Sequence, residues 1–267
     1  MKRKIKSKII WIGILMILIF SASTLTTDKK TVETISTDIS NRKIQWGIKR
    51  SDNHEQPDVG ESNKKNLEEN NGICMGNTDS KKIYLTFDEG YEAGYTSKIL
   101  ETLKNNNIKA TFFITAHYVN TEPELVQQMI DEGHIVGNHT VNHKSMPDLN
   151  EEEIRKEVME LHQSIYGKFN YEMKYIRPPK GEFSERTIKE TNTFGYKTVM
   201  WSFAYEDWNE NSQPDETKAK SKIIDNFHNG EIMLLHGNSR TNTNILADII
   251  KEAKNMGYEF SSLDEYE

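Results

Sequence analysis

The stretch that decides the fold is Lys81-Lys-Ile-Tyr-Leu-Thr-Phe-Asp-Glu-Gly90. Ile83 to Phe87 form a β-rich run that breaks abruptly into two carboxylates and a glycine. A run without polar alternation is expected of a strand covered on both faces of a parallel sheet. Six further runs follow: Ala110 to Thr115, Ile135 to Gly137, Lys174 to Ile176, Thr198 to Phe203, Ile232 to Leu235, and Tyr258 to Ser261. Between them lie amphipathic stretches with helix signals. These are Tyr95 to Asn105, Glu124 to Glu132, Glu151 to Tyr166 behind the cap Asn150, Glu185 to Asn192 behind Ser184, Thr217 to His228, and Asn244 to Asn255 before Gly257. Caps and stops fall where helix ends need them. Seven strands alternating with six helices predict an α/β fold, either an open doubly wound sheet or a closed barrel.

The polar residues at the strand ends favour the barrel. Asp88 and Glu89 follow the first strand, His139 and His143 the third, Arg177 the fourth, Asp207 and Trp208 lie beyond the fifth, and His236 follows the sixth. In a βα barrel the carboxyl ends of all strands converge on one mouth, whereas an open sheet spreads them along an edge.

Composition narrows the function classes. Hydrophobic residues make up 35% of the 267, and charged residues 28%, which suits a globular domain and excludes a polytopic membrane protein. The single cysteine, Cys74, rules out an internal disulfide and a structural Cys/His zinc cluster, so any metal site must use histidine and carboxylate. At the amino terminus Lys2, Arg3, Lys4, Lys6 and Lys8 precede an apolar run from Ile9 to Phe20, followed by Ser21, Ala22 and Ser23. This is the layout of a secretory signal, and the run is short of the roughly 20 residues that a bilayer span needs. Residues 1–23 are therefore read as a signal peptide, or an N-terminal membrane anchor where they are not cleaved, and the protein as exported. Losing those five cations takes the net charge from −7 to −12, which argues against nucleic acid as a partner. Residues 24–43, rich in Thr, Ser, Asp and Lys without periodicity, read as a flexible tether, leaving 44–267 as one catalytic domain.

The chemistry-bearing residues suggest a hydrolytic site. His139 and His143 have the i, i+4 spacing that puts two imidazoles on one face of a helical turn within reach of one cation, although a surface pair at a turn has the same spacing. Asp88 and Glu89, adjacent on a strand end, point to opposite sides and so take different tasks: one can ligate while the other accepts a proton. Two histidines, a carboxylate and an open position make a hydrolytic zinc site. His236 suits a general acid, with Asp207 placed to bond either it or Arg177. Arg177 cannot titrate and could hold Asp88 ionised. Because Pro178 and Pro179 lack N–H groups, the first free amide after Arg177 belongs to Lys180 and could face a developing oxyanion. Trp208 offers a flat wall for a sugar ring.

Five ordered motifs, TFDEG (86–90), GNHTVNH (137–143), RPPKG (177–181), EDW (206–208) and LLHG (234–237), together resemble the polysaccharide deacetylase family, carbohydrate esterase family 4, with its NodB homology domain. The longer phrases KKIYLTFDEGYEAGYT, RPPKGEFSERT and WSFAYEDW resemble its muramic-acid deacetylase branch, and the likeness spans about residues 44–267. The resemblance implies a single-domain distorted (β/α)7 barrel and a divalent metal, zinc by preference, held by His139, His143 and Glu89. It further implies Asp88 as base, His236 as acid, and Arg177 and Asp207 as the residues that set their charge states. The Lys180 amide then binds the oxyanion and Trp208 lines the groove. The reaction implied is removal of acetyl from N-acetylmuramic acid in peptidoglycan glycan strands, leading to muramic δ-lactam in spore cortex, after an amidase has stripped the stem peptide. It places the protein outside the cytoplasm, in the cell wall or the forespore intermembrane space. N-acetylglucosamine of peptidoglycan or chitin, O-acetyl xylan, and a non-catalytic glycan-binding role remain as alternatives. Glu89 departs from the family pattern, which has Asp there, and Lys180 stands where many relatives have Tyr.

Overall fold

The computed structural model describes residues 39–266; the expected signal and most of the expected tether lie outside them. Ile39–Glu267 form one compact unit. Among the described residues no helix is long and apolar enough to cross a membrane.

Among the described residues nine strands and eight α-helices follow in chain order: β1 (Ile44–Gln45), α1 (Glu61–Glu69), β2 (Lys82–Glu89), α2 (Thr96–Asn105), β3 (Thr111–Ile114), α3 (Ala116–Thr121), α4 (Pro123–Asp131), β4 (Ile135–Asn138), α5 (Glu151–Phe169), β5 (Tyr175–Ile176), β6 (Glu182–Phe183), α6 (Glu185–Thr193), β7 (Lys197–Thr198), α7 (Glu216–Ile224), β8 (Glu231–His236), α8 (Arg240–Asn255) and β9 (Glu259–Phe260). The main sheet is parallel, in the order β7-β5-β4-β3-β2-β8, with β9 pairing to the first residues of β2. It curls so that the segment after β7 reaches β8, where Ser202 N–H donates to the Ile232 carbonyl at 3.0 Å and Leu234 N–H to that of Phe203 at 2.8 Å. This gives a curled (β/α)7-type half-barrel, in keeping with the expected fold class.

The expected strand Thr198–Phe203 is thus divided. Its first part pairs with β5, Met200 N–H donates to the carbonyl of Ile73 at 2.8 Å, and Phe203 bridges Met233. A segment at the seam of a curled sheet must serve two neighbours that diverge, so it cannot remain one straight ladder. The antiparallel pair β1–β6 and helix α1 are additions to the sequence-based reading. Residues 40–43, assigned to the tether, are docked: Ser184 Oγ donates to Asn41 Oδ1 at 2.8 Å and Lys43 pairs with Asp148 at 2.5 Å. The helix starts follow their caps, including the capping box of Asn150 with Glu153 on α5 and the Ser184 cap on α6.

Period-two alternation sorts the sheet into two apolar faces. Ile83, Leu85 and Phe87 of β2, Phe112 and Ile114 of β3, Val136 of β4 and Met233 and Leu235 of β8 pack against the helices, in a cluster with Leu100 and Leu103 of α2, Val158 of α5 and Ile249 of α8. Tyr84, Phe113, Ile135, Tyr175, Val199 and Ile232 fill the concave face. Full burial of each large aliphatic chain contributes on the order of 1.5–3 kcal/mol, so register is strongly enforced, because a one-residue slip would exchange the faces.

Candidate active site

The concave face ends in the groove. Register places Asp88 of β2 directly beside His236 of β8, while β4 and β5 pair through Asn138 and Ile176 and deliver the next residues, His139 and Arg177, to the same end. The groove, of about 820 Å³, is lined by Asp88, His139, His143, Lys180, Trp208 and His236, among others. Arg177 and Asp207, both buried, stand behind this surface and bond to it.

Asp88 Oδ1 accepts from Arg177 Nη1 at 2.8 Å, and its Oδ2 lies 3.5 Å from His139 Nε2. Burial works against the charge on Asp88, but Arg177 and then His139 and His236 outweigh it and hold the carboxyl below its ordinary range. The arginine is fixed in turn: its guanidinium lies 4.2 Å from the Phe113 ring centroid and Nε donates to the Val199 carbonyl. Asp88 is thus an ionised carboxylate at the end of a rigid strand.

His236 has the opposite setting. Its Nδ1 lies 2.7 Å from Asp207 Oδ1, its backbone N–H donates to Asp207 Oδ2 at 2.9 Å, and Asn242 Nδ2 bonds the same oxygen. Burial alone would lower its pKa, but Asp207, with Asp88 adding to it, raises it above the ordinary 6.5. Nε2 is left to present a proton toward the groove. Trp208, half exposed, has its ring 5.7 Å from that of His236 and forms the wall beside it.

His139 and His143 converge, but not on a helix. They sit on the loop after β4, where Thr140 (φ 67°) and His143 (φ 54°) take left-handed conformations. Glu157 of α5 stiffens that loop by accepting from the backbone N–H and side-chain Nδ2 of Asn142. The two Nε2 atoms are 3.1 Å apart, close to the roughly 3.3 Å between two ligands of a tetrahedral zinc with bonds near 2.0–2.1 Å. His139 Nδ1 is held by the Arg177 carbonyl at 2.9 Å, which turns Nε2 to the groove. Burial lowers both imidazoles, His143 to about 4, so both are neutral, the form that takes up a cation. The pair therefore fits a divalent metal.

Glu89 does not complete that site. On β2 it has the parity of Ile83, Leu85 and Phe87 and faces the helices, with no exposure to solvent. Its Oε1 accepts from Thr96 Oγ1 of α2 at 3.3 Å, and Oε2 has no hydrogen-bond partner. Burial, with Glu92 and Asp88 adding repulsion, pushes its pKa well above the ordinary 4.5, so the acid is neutral. A Cβ on Gly237 would lie 1.9 Å from Glu89 Oε1, so this acid occupies the space under the glycine that follows His236. Among the described residues no group of three His, Cys, Asp or Glu side chains is arranged to hold a metal ion.

The sequence reading did not single out Tyr91, Asn238 and Asn242. Asn238 Nδ2 donates to Tyr91 Oη at 2.7 Å and to the Trp208 carbonyl at 3.0 Å, tying both aromatic walls together across the groove. Its position two residues beyond His236 was the available signal. Cys74 takes no part: it is buried beside Leu67 and Met200, and burial pushes its thiol up to about 12.

The fold and this groove define a polysaccharide deacetylase, and the chain belongs to that family, whose model matches residues 75–199. Among its relatives is the peptidoglycan-N-acetylmuramic acid deacetylase PdaA of Bacillus subtilis, 43% identical over 230 residues, covering 85% of this chain and 87% of that protein. The solved structure of Bacillus subtilis PdaA, described as a family 4 carbohydrate esterase, superposes with a TM-score of 0.83 at 42% identity, over 85% of this chain and 98% of that one. A peptidoglycan-N-acetylglucosamine deacetylase of Bacillus cereus is 33% identical over 192 residues, 70% of this chain and 88% of its own length.

Proposed function

We propose that the protein removes the acetyl group from N-acetylmuramic acid in peptidoglycan glycan strands. The observation that carries the chemistry is the opposed pair at the end of β2 and β8, with Asp88 kept ionised by Arg177 beside a His236 kept protonated by Asp207. Titratable groups pushed apart in this way mark a base and an acid. The choice of sugar rests on the likeness to the muramic acid deacetylase over 85% of this chain, against 70% for the glucosamine relative.

In the reaction Asp88 takes a proton from water as its oxygen attacks the acetamide carbonyl carbon. The Lys180 N–H meets the carbonyl oxygen as it gains charge. His236 Nε2 gives its proton to the departing nitrogen as the C–N bond breaks, leaving acetate and a free amine. Asn238 and Trp208 position the sugar ring. A divalent cation, zinc by preference, would be held by His139 and His143 and would polarise the water and the carbonyl. The freed amine and the lactyl carboxyl of the same sugar can then close to a δ-lactam with loss of water. That closure requires an amidase to have removed the stem peptide first, which fits an exported protein acting on spore cortex.

The test is acetate release from defined glycan oligomers carrying muramic acid with a free lactyl group, compared with N-acetylglucosamine oligomers. Faster release from the muramic substrate, lost in Asp88→Asn by about 10²-fold or more, is expected. Release confined to the glucosamine substrate would move the assignment to that sugar, and Asp88→Asn at full activity would remove the mechanism.

A further inference from the structure

The geometry points to the side chain of Lys180 as the receptor for the lactyl carboxylate, and so as the residue that selects muramic acid over glucosamine. This rests on the muramic reading above. Among the described residues that line the groove, Lys180 alone carries a lysine or arginine side chain, and it is exposed. Its ammonium makes no hydrogen bond or ion pair among the described residues. Asp148 and Glu182 pair with Lys43 at 2.5 Å and 3.5 Å, and Lys180 acts on Asp148 only through its charge, without a hydrogen bond.

The backbone at Lys180 is held where a side chain other than glycine is rarely found, at φ 61° and ψ 7°. Such a conformation persists only where the surroundings over-determine it. Here they do: the Lys180 carbonyl accepts from Gln45 Nε2 at 2.7 Å, the Gly181 carbonyl accepts from Trp46 N–H at 2.8 Å, and β1 pairs with β6 immediately after the loop. The amino-terminal strand therefore clamps a lysine where glycine would be easier. In muramic acid the acetamide on C2 and the lactyl ether on C3 are neighbours. With the Lys180 N–H at the acetamide oxygen, its flexible four-carbon stem can reach the adjacent carboxylate. A neutral side chain at this position would leave that carboxylate without a counter-charge, whereas a glucosamine unit, which has no carboxylate, gains nothing from the lysine.

The test compares kcat/KM for muramic-acid oligomers with a free lactyl carboxylate and the same oligomers with that group converted to a neutral methylamide. Wild type should favour the free carboxylate by about 10- to 100-fold, the range of a hydrogen bond between charged partners, with the difference mainly in KM. Lys180→Gly, which relieves the backbone conformation, and Lys180→Gln should both bring the ratio close to one, and Lys180→Arg should keep most of it. A ratio that survives in Lys180→Gly and Lys180→Gln, or a wild type that treats both muramic substrates alike, overturns the role of Lys180 while leaving muramic deacetylation standing. A wild type that releases acetate only from glucosamine oligomers overturns both.

Discussion

Glu89→Gln removes one titrating proton from the layer between the sheet and α2 while keeping the shape of the side chain. In the folded protein Glu89 is fully buried and its pKa lies well above 4.5. Between 4.5 and the folded value, the native state holds one proton more than the unfolded chain. The contribution of this acid to stability is therefore complete below the unfolded pKa and is lost as pH rises toward the folded one. The slope is about 1.4 kcal/mol per pH unit, so two units inside that window are worth about 2.7 kcal/mol. Glutamine does not titrate. Its oxygen can keep the bond from Thr96 Oγ1, while its amide nitrogen replaces the partnerless Oε2 and buries two unpaired N–H donors where the protonated acid buries one O–H, a cost to the variant that does not change with pH. The variant should therefore gain stability relative to the wild type steadily as pH rises from 5. Urea unfolding of both proteins at pH 5, 6, 7 and 8 measures this, and Glu231, also buried with a raised pKa, is common to both and cancels in the difference. A difference in stability that stays flat with pH would refute the neutral acid. Metal uptake by the same variant, if it fell as far as in His139→Ala, would return Glu89 to the ligand set.

Asp207→Asn takes away the carboxylate that raises His236, so the alkaline limb of kcat/KM should move to lower pH, while the acid limb set by Asp88 stays in place; an unmoved alkaline limb would separate His236 from the leaving-group proton. Gly237→Ala forces a Cβ to within 1.9 Å of Glu89 Oε1 and should cost about 1–3 kcal/mol in thermal or urea unfolding, a cost that Gly237→Ala with Glu89→Ala should largely recover. Chelation should abolish acetate release and added zinc restore it; activity indifferent to chelator would leave the paired imidazoles of His139 and His143 without a metal to hold.

The sequence made the βα alternation and the polar strand ends legible because both follow from short-range patterns. Asp88, His139, Arg177 and His236 could be brought to one mouth by topology alone. The period-two rule also contained the placement of Glu89, since Asp88 shares the parity of Tyr84 and Thr86 while Glu89 shares that of Leu85 and Phe87. What hid it is that both faces of β2 are apolar, so the pattern does not say which face is the groove. The histidine pair was legible as a pair but not as a loop, because left-handed backbone at a β-branched residue such as Thr140 has no local sequence signal. Helix α1, Glu61–Glu69, buries only Leu67, so it has almost no apolar stripe to read. The division of the segment Thr198–Phe203 depends on where the sheet meets itself, a property of the whole ring.

The strand Ile44–Gln45 and the neighbouring Trp46 have a consequence for any cut in the chain. The loop that carries Lys180 is held through Gln45 Nε2 and the Trp46 N–H, more than 130 residues away in sequence. Cleavage before Ser40 would leave those contacts intact, whereas cleavage just after Trp46 would remove both and detach the support of one groove wall without touching a catalytic side chain. The choice of starting residue for a recombinant fragment, or of a processing site in the cell, is therefore also a choice about the groove.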